Sequence, residues 1–266
     1  MNLRNDVAKA QERMYEILVA FNGICQKHNL QYWLAYGTLL GAVRHKDFIP
    51  WDDDLDVIMP REDYEKFLSI AQEELPDNYF LQTPKTDKYY HNFFAKIRDR
   101  ESTFIDVWEK KRDVRYHQGI YIDIFPHNTI SDSNLVKTLY RTLAFVSKLM
   151  HNRHIRLMMP VKPVIFIMNS FHKKDGHIVV SGGECMHYPD FVAREKIFPL
   201  KKIVFHKGEF PVPKDADTPL KLVFGKNYME LPPKEKQKVH SVNILLDTPC
   251  RYEREHEKDS HHHQSL

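Results

Sequence analysis

The stretch Trp51-Asp52-Asp53-Asp54-Leu55-Asp56-Val57-Ile58-Met59 limits what this chain can fold into more than any other segment. Four carboxylates fall within five positions, and the run then turns apolar until Pro60 closes it. A strand over Leu55–Met59 sends Leu55, Val57 and Met59 to one face, and Asp54 and Asp56 to the other. Aspartate is depleted in strands, and two carboxylates at i and i+2 repel each other unless a cation lies between them. Hard divalent ions take oxygen ligands of this kind, Mg²⁺ first and Mn²⁺ as the alternative. The competing reading is a solvated acidic turn ahead of the strand. A further carboxylate, Asp123, stands alone in the apolar run Gly119–Phe125. Buried, it needs a partner: an arginine or backbone N–H in the core, or an ion shared with the Asp pair. Carboxylates on neighbouring strands in this pattern form a one- or two-metal site for in-line phosphoryl displacement.

The surrounding chain supplies the frame. Apolar positions recur at helical spacing over Leu3–His28. Tyr32–Ala35 reads as a strand, and Thr38 is expected to cap a short helix over Leu39–Arg44. Arg61–Leu75 is helical in pattern; Tyr79–Gln82, Phe93–Arg98 and Gly119–Phe125 read as strands; Leu135–Met158 reads as one or two helices. A hairpin over Ile203–Phe205 and Glu209–Val212, a helix over Thr218–Phe224 stopped by Gly225, and a last helix opened by Pro232-Pro233 complete the expectation. The fold class is α+β, a mixed β-sheet core flanked by helices. Its expected parts are an N-terminal helix over 1–30, a catalytic core over 31–130, a basic amphipathic helical segment over 131–175, the rest of the same domain over 176–250 and a polar tail over 251–266.

The turn Gly37-Thr38 offers backbone N–H groups and a hydroxyl to an anion. Arg44, His45 and Lys46, then Lys96, Arg98 and Arg100, are cations able to hold phosphate oxygens, or else plain surface charges.

Composition narrows the class. With 42% hydrophobic and 28% charged residues over 266 positions, the chain is neither disordered nor fibrous. Mean hydropathy is −0.53, and no apolar run, Pro163–Met168 being the longest, approaches the roughly 20 residues of a membrane span. No secretory leader is visible, and three cysteines make no disulfide framework, so a reducing, cytoplasmic setting is expected. Cys185-Met186-His187 lacks a second pair at zinc spacing and reads as a loop; His261–His263 sits in the polar tail.

The motif Gly37-Thr38-Leu39-Leu40-Gly41-Ala42-Val43-Arg44-His45-Lys46, running into Phe48-Ile49-Pro50-Trp51-Asp52-Asp53-Asp54-Leu55-Asp56-Val57, resembles the signature of the LicD family, to which fukutin-type proteins are related. Lys96-Ile97-Arg98-Asp99, Gly119–Pro126 and Phe224–Met229 with Leu231-Pro232-Pro233 support the resemblance, which spans about Tyr32 to His240. Asp47 departs from the pattern, which has glycine there, and adds a carboxylate near the site. The resemblance implies a nucleotidyltransferase-like fold. It also implies transfer of a substituted phosphate, typically phosphocholine from CDP-choline, to a hydroxyl of a lipid-linked or cell-surface glycan, teichoic acid or lipopolysaccharide precursor. Glycerol- or ribitol-phosphate donors are the variants within the family. Under that reading Asp54, Asp56 and Asp123 hold metal, Asp123 is also the general base, Gly37 and Thr38 hold phosphate, and Arg44 and Lys96 balance charge on the leaving nucleotide. His45, Lys46 and Arg98 join the phosphate-binding set. A choline group needs aromatic faces; Trp51 and Tyr121, with Trp108 and Tyr116, are the candidates.

Between Asp132 and Asp175 there is no acidic residue, while positions 133–174 carry eight Lys or Arg among apolar residues. The segment reads either as a peripheral contact with the inner face of a membrane or as a helical subdomain with a solvated basic face. Other classes stay open: a nucleotidyltransferase that moves NMP, a nucleic-acid module, or an inactive scaffold. A net charge of +3 and the lack of a recognised motif argue against nucleic acid.

Overall fold

In the computed structural model of the chain, which describes residues 3–107, 109, 114–151, 161–185 and 189–253, the first helix buries one continuous side. Helix α1 (Leu3–Lys27) turns Val7, Ala10, Met14, Ile17, Leu18, Phe21 and Ile24 inward, the i, i+3, i+4 stripe seen in the sequence. This stripe lies on a mixed sheet. Its strands are β1 (Trp33–Leu34), β2 (Asp56–Pro60), β3 (Tyr79–Gln82), β4 (Ala95–Asp99), β6 (Tyr121–Ile130), β7 (Ile178–Ser181) and β8 (Val192–Ala193). The order is β1-β2-β6-β4-β3, with β7 pairing the second half of β6 and β8 pairing β7. Strands β2 and β6 run parallel; the other pairs are antiparallel.

Alternation divides the sheet's two faces. Val57, Met59, Ala95, Ile97, Ile122 and Ile124 face the main core under α1 and α3 (Arg61–Glu74), whereas Ile58 and Phe125 enter a second cluster with Trp33 and Val179. Asp56, Lys96 and Asp123 occupy that second face, as the period of two requires.

Strand β6 is longer than its apolar run suggests. It continues through Pro126 because His127–Ile130 pair with β7, whose short span Ile178–Ser181 carries no pattern of its own in the sequence. Strand β5 (Thr103–Asp106) pairs with β11 (Ser241–Leu245), and β9 (Lys201–Phe205) with β10 (Gly208–Val212). Helices α4 (Asn134–His151) and α5 (Lys162–Ser170) pack together beyond the end of β6. Helix α6 (Arg194–Ile197) is a single turn, and α7 (Asp217–Phe224) ends at Gly225, whose φ of 84° suits glycine.

Two local expectations are corrected. Helix α2 (Tyr36–Arg44) begins before Thr38, so Thr38 is inside its first turn rather than capping it. Pro232-Pro233 leads to one 3₁₀ turn, Lys234–Lys236, and not to a helix, and the chain then enters β11. Among the described residues no helix is long and apolar enough to cross a membrane. The readings placed on Trp108, Arg153, Arg156, Leu157, Met158, Met186, His187 and His261–His263 lie outside the described residues.

Candidate active site

The parallel register of β2 and β6 sets Asp56 directly opposite Asp123, and β4 sets Lys96 opposite Asp123 from the other side. Asp54 stands two residues before Asp56, on the loop that delivers β2. Lys96 Nζ forms an ion pair with Asp123 Oδ1 at 2.5 Å and lies 3.6 Å from the centroid of the Tyr121 ring. Thr38 Oγ1 accepts the Asp56 backbone N–H at 2.8 Å, which ties the first turn of α2 to the head of β2. The Ala35 N–H reaches the Asp56 carbonyl at 3.0 Å, and the Asp123 N–H the Leu55 carbonyl at 2.8 Å, so the backbone under the carboxylates is fully clamped. Gly37 has to be small: a Cβ there would collide with Asp52 Oδ2.

Electrostatically the cluster is out of balance. Burial, then repulsion from Asp52 and Asp123, pushes Asp54 well above the usual carboxylate range. Burial, then Asp54 and Asp123, does the same to Asp56. Asp52 is pushed up to about 7 by burial and by Asp53, against the pull of Arg44. Burial raises Asp123 although Lys96 opposes it, and burial lowers the Lys96 ammonium although Asp123 opposes that. Asp54, Asp56 and Asp123 thus share Lys96 as their opposing cation, while Asp52 has Arg44. A divalent cation is the chemistry that relieves such an excess, and its all-oxygen donors fit Mg²⁺ or Mn²⁺. Among the described residues no three His, Cys, Asp or Glu side chains are placed together to hold a metal ion, and Asp123 is paired with Lys96. The residues fit an open site held by Asp54 and Asp56, not a closed cage.

Over Asp52, Asp54 and Asp56 opens a cleft of about 620 Å³, whose lining does not include Lys96 or Asp123. Gly37, Arg44, Trp51, Asp52, Asp54 and Asp56 form its base and near wall; Val223, Phe224, Tyr228, Leu231 and Lys236 form the far wall. Arg44 joins the walls, donating from Nη1 to the carbonyls of Tyr228 (2.9 Å) and Glu230 (3.2 Å).

The other expected site residues divide sharply. Arg98 is buried, with Nε on Gln82 Oε1 and Nη1 on the Gly119 carbonyl, both at 2.8 Å, so it braces β4 and does not line the cleft. His45 accepts from Arg44 Nε at 3.0 Å, and Lys46 is an exposed turn residue with φ 59°. Tyr121, expected in a choline pocket, has Lys96 and Arg98 against its ring and Phe104 edge-on; no open face is left to it as a cage wall. Tyr116 is buried with its hydroxyl on Glu109. Trp51 does line the cleft. Asp47 adds no carboxylate there, because its Oδ1 accepts the Phe48 N–H at 2.7 Å and pairs with His206 Nδ1 at 2.8 Å. Asp53 is structural: Oδ2 accepts the N–H groups of His240 (3.0 Å) and Ser241 (2.5 Å).

Asp52 and the far wall were not singled out as site residues by sequence reasoning. Asp52 was hidden among its identical neighbours; the tight Gly37 opposite it is a signal visible only in three dimensions. The far wall comes from segments about 170 or more residues downstream, which no local pattern connects.

The family described as "LicD/FKTN/FKRP, nucleotidyltransferase domain" matches residues 29–154, from just before β1 to just beyond α4. Residues 29–154 are a LicD-family domain. The lipopolysaccharide cholinephosphotransferase LicD of Haemophilus influenzae is 35% identical over 115 residues, 43% of this chain and 41% of its own length. The ribitol 5-phosphate transferase FKRP of mouse is 49% identical over 41 residues, 15% of this chain and 8% of its own length. The mannosyltransferase regulator 4 of Saccharomyces cerevisiae is 27% identical over 126 residues, 46% of this chain and 10% of its own length. The matches therefore span about two fifths or less of these relatives. The LicD domain holds Asp52, Asp54, Asp56, Lys96 and Asp123; the far wall at 223–236 lies outside it.

Proposed function

We propose that the cleft catalyses transfer of a substituted phosphate from a cytidine-diphosphate-linked alcohol, phosphocholine first among them, to a hydroxyl of a glycan acceptor, on a nucleotidyltransferase-like core. The observation that carries the proposal is the register placing Asp56 beside Asp123, with Asp54 on the preceding loop and Lys96 across. The relatives named as a cholinephosphotransferase and a ribitol 5-phosphate transferase support transfer of a substituted phosphate.

Asp54 and Asp56 are the residues to hold Mg²⁺ or Mn²⁺, which when bound supplies neutralisation of diphosphate charge. Asp123, with its raised pKa, takes the proton of the acceptor hydroxyl as that oxygen attacks the alcohol-bearing phosphorus. The P–O bond to CMP breaks, and CMP leaves with the bridging oxygen. Lys96 fixes the Asp123 carboxylate in place, and Thr38 fixes the backbone from which Asp56 projects. Arg44, already between the walls, faces the phosphates. Trp51 is the aromatic surface available to a quaternary ammonium.

Isothermal titration with CDP-choline, CDP-glycerol, CDP-ribitol and CTP, with and without Mg²⁺, tests the reading in the parent protein and in Asp56→Asn. Metal-dependent binding of one CDP-alcohol, lost in the variant, is expected. Binding of CTP alone would shift the assignment to NMP transfer, and no binding of any nucleotide would overturn it.

A further inference from the structure

Helix α4 buries one face in the ordinary way. Tyr140, Ala144, Ser147 and Met150 are covered, and Tyr140 donates its hydroxyl to the Ser181 carbonyl at 2.6 Å. The opposite face is where a solvated helix carries charge of both signs. On α4 it carries Leu135, Leu139, Phe145 and Leu149, which are 68%, 43%, 50% and 47% exposed. At about 100° per residue these four side chains fall within an arc of roughly 120°. Only Thr138 and Thr142 interrupt the stripe, and Lys137, Arg141 and Lys148 run along one border. Lys137 pairs with Asp132 before the helix, and Arg141 rests its guanidinium 4.7 Å from the centroid of the Phe191 ring. Helix α5 packs on α4 through Ile165 and Met150 and leaves Phe166 75% and Ile167 45% exposed beside Lys162.

We infer that the outward face of α4, with α5 beside it, docks on an anionic lipid surface. Charge selects this occupant. Over positions 133–174 there are eight Lys or Arg and no Asp or Glu, a one-sided balance that an acidic headgroup layer neutralises while the acyl boundary takes up leucine and phenylalanine. The helix is too polar to span, so it lies in the plane of the interface. This inference uses no residue of the cleft and stands or falls apart from the phosphotransfer reading.

The test is co-sedimentation of the whole chain with vesicles of phosphatidylcholine alone or mixed with phosphatidylserine, across a salt series, for the parent protein and a Leu139→Ser/Leu149→Ser double variant. Both positions are exposed, so the melting temperature is expected to hold and to certify the fold. The expected result is binding to the anionic vesicles only, weakening with salt and falling at least about tenfold in the double variant. Three results would overturn the inference: no binding at low salt, equal binding by the double variant, or a dimer of the parent protein that the double variant dissolves. The last would assign the stripe to a second copy of the chain.

Discussion

Strand β6 carries buried polar groups at both ends, and the two ends are built on opposite plans. At its second half, Asn128 accepts Arg61 Nε at 2.8 Å while Arg61 grips both oxygens of Glu184 at 2.8 Å. Asn169 closes the group, accepting from Arg61 Nη2 and donating to Glu184 Oε1. One cation meets one anion in a two-pronged pair, and the amides take up the remaining donors and acceptors. At the first half, Asp54, Asp56 and Asp123 share Lys96 while Asp52 has Arg44, and the neighbouring carboxylates add to burial in driving the pKa of Asp52, Asp54 and Asp56 upward. Burial of charge is common to both ends; imbalance belongs to one. The lesson is that an unpaired excess of like charge marks a place kept for a ligand, whereas a closed polar group marks architecture.

Substitutions can break this contrast. Asp56→Asn is expected to lower turnover about a thousandfold and leave the melting temperature level or raised, since it removes one of several repelling charges. Paired activity and thermal-melt measurements check it; a large loss of stability would place Asp56 with the architecture instead. Arg61→Met is the reverse case. It strands Glu184 in a closed pocket and is expected to cost about 3–5 kcal/mol in denaturant unfolding, with the activity per folded molecule preserved.

Metal and pH sharpen the comparison at a smaller scale. Mg²⁺ at about 100 times its dissociation constant is expected to stabilise the protein by roughly 2.7 kcal/mol, and not to stabilise an Asp54→Asn/Asp56→Asn variant. In metal-free protein the carboxylates of the cluster hold their protons more tightly folded than unfolded. Stability is therefore expected to fall as pH rises from the usual carboxylate value of 3.8 toward about 7, where Asp52 titrates. Lys96 and Arg44 oppose this trend without reversing it. Unfolding across that range, with and without Mg²⁺, reads the slope, which the metal should flatten. The smallest effect is expected for Gly37→Ala: the added methyl displaces the Asp52 carboxylate, and a several-fold rise in KM for the nucleotide should accompany a stability change of about 1 kcal/mol or less.

Much of this contrast is legible in the chain. The alternation Leu55–Met59 announces a strand with carboxylates on one face, the lone Asp123 announces its neighbour, and α1, α3 and the β9–β10 hairpin follow from local periodicity. What escapes is what local pattern does not encode. Strands β5 and β11 are short and more than 130 residues apart, so nothing in either segment names the other. The lysine-rich segment after Pro233 has helix-forming composition, yet the demand of β5 for a partner leaves it only one 3₁₀ turn before β11. Residue type alone points Arg98 and Tyr121 toward a ligand. The register of β4 and β6 instead sets them opposite each other, and each becomes the other's partner.

The Asp53 carboxylate, clasped on the N–H groups of His240 and Ser241, has a temporal side. The acidic loop is synthesised early, but the backbone that holds its middle residue is made 188 residues after it. A ribosome adding about 5–20 residues per second takes roughly 10–40 s to cover that interval. Throughout it the nascent chain displays its repelling carboxylates on a loop that lacks the clasp on Asp53. The acidic loop is among the early parts of the cleft to be written, and its middle residue is among the last to be locked.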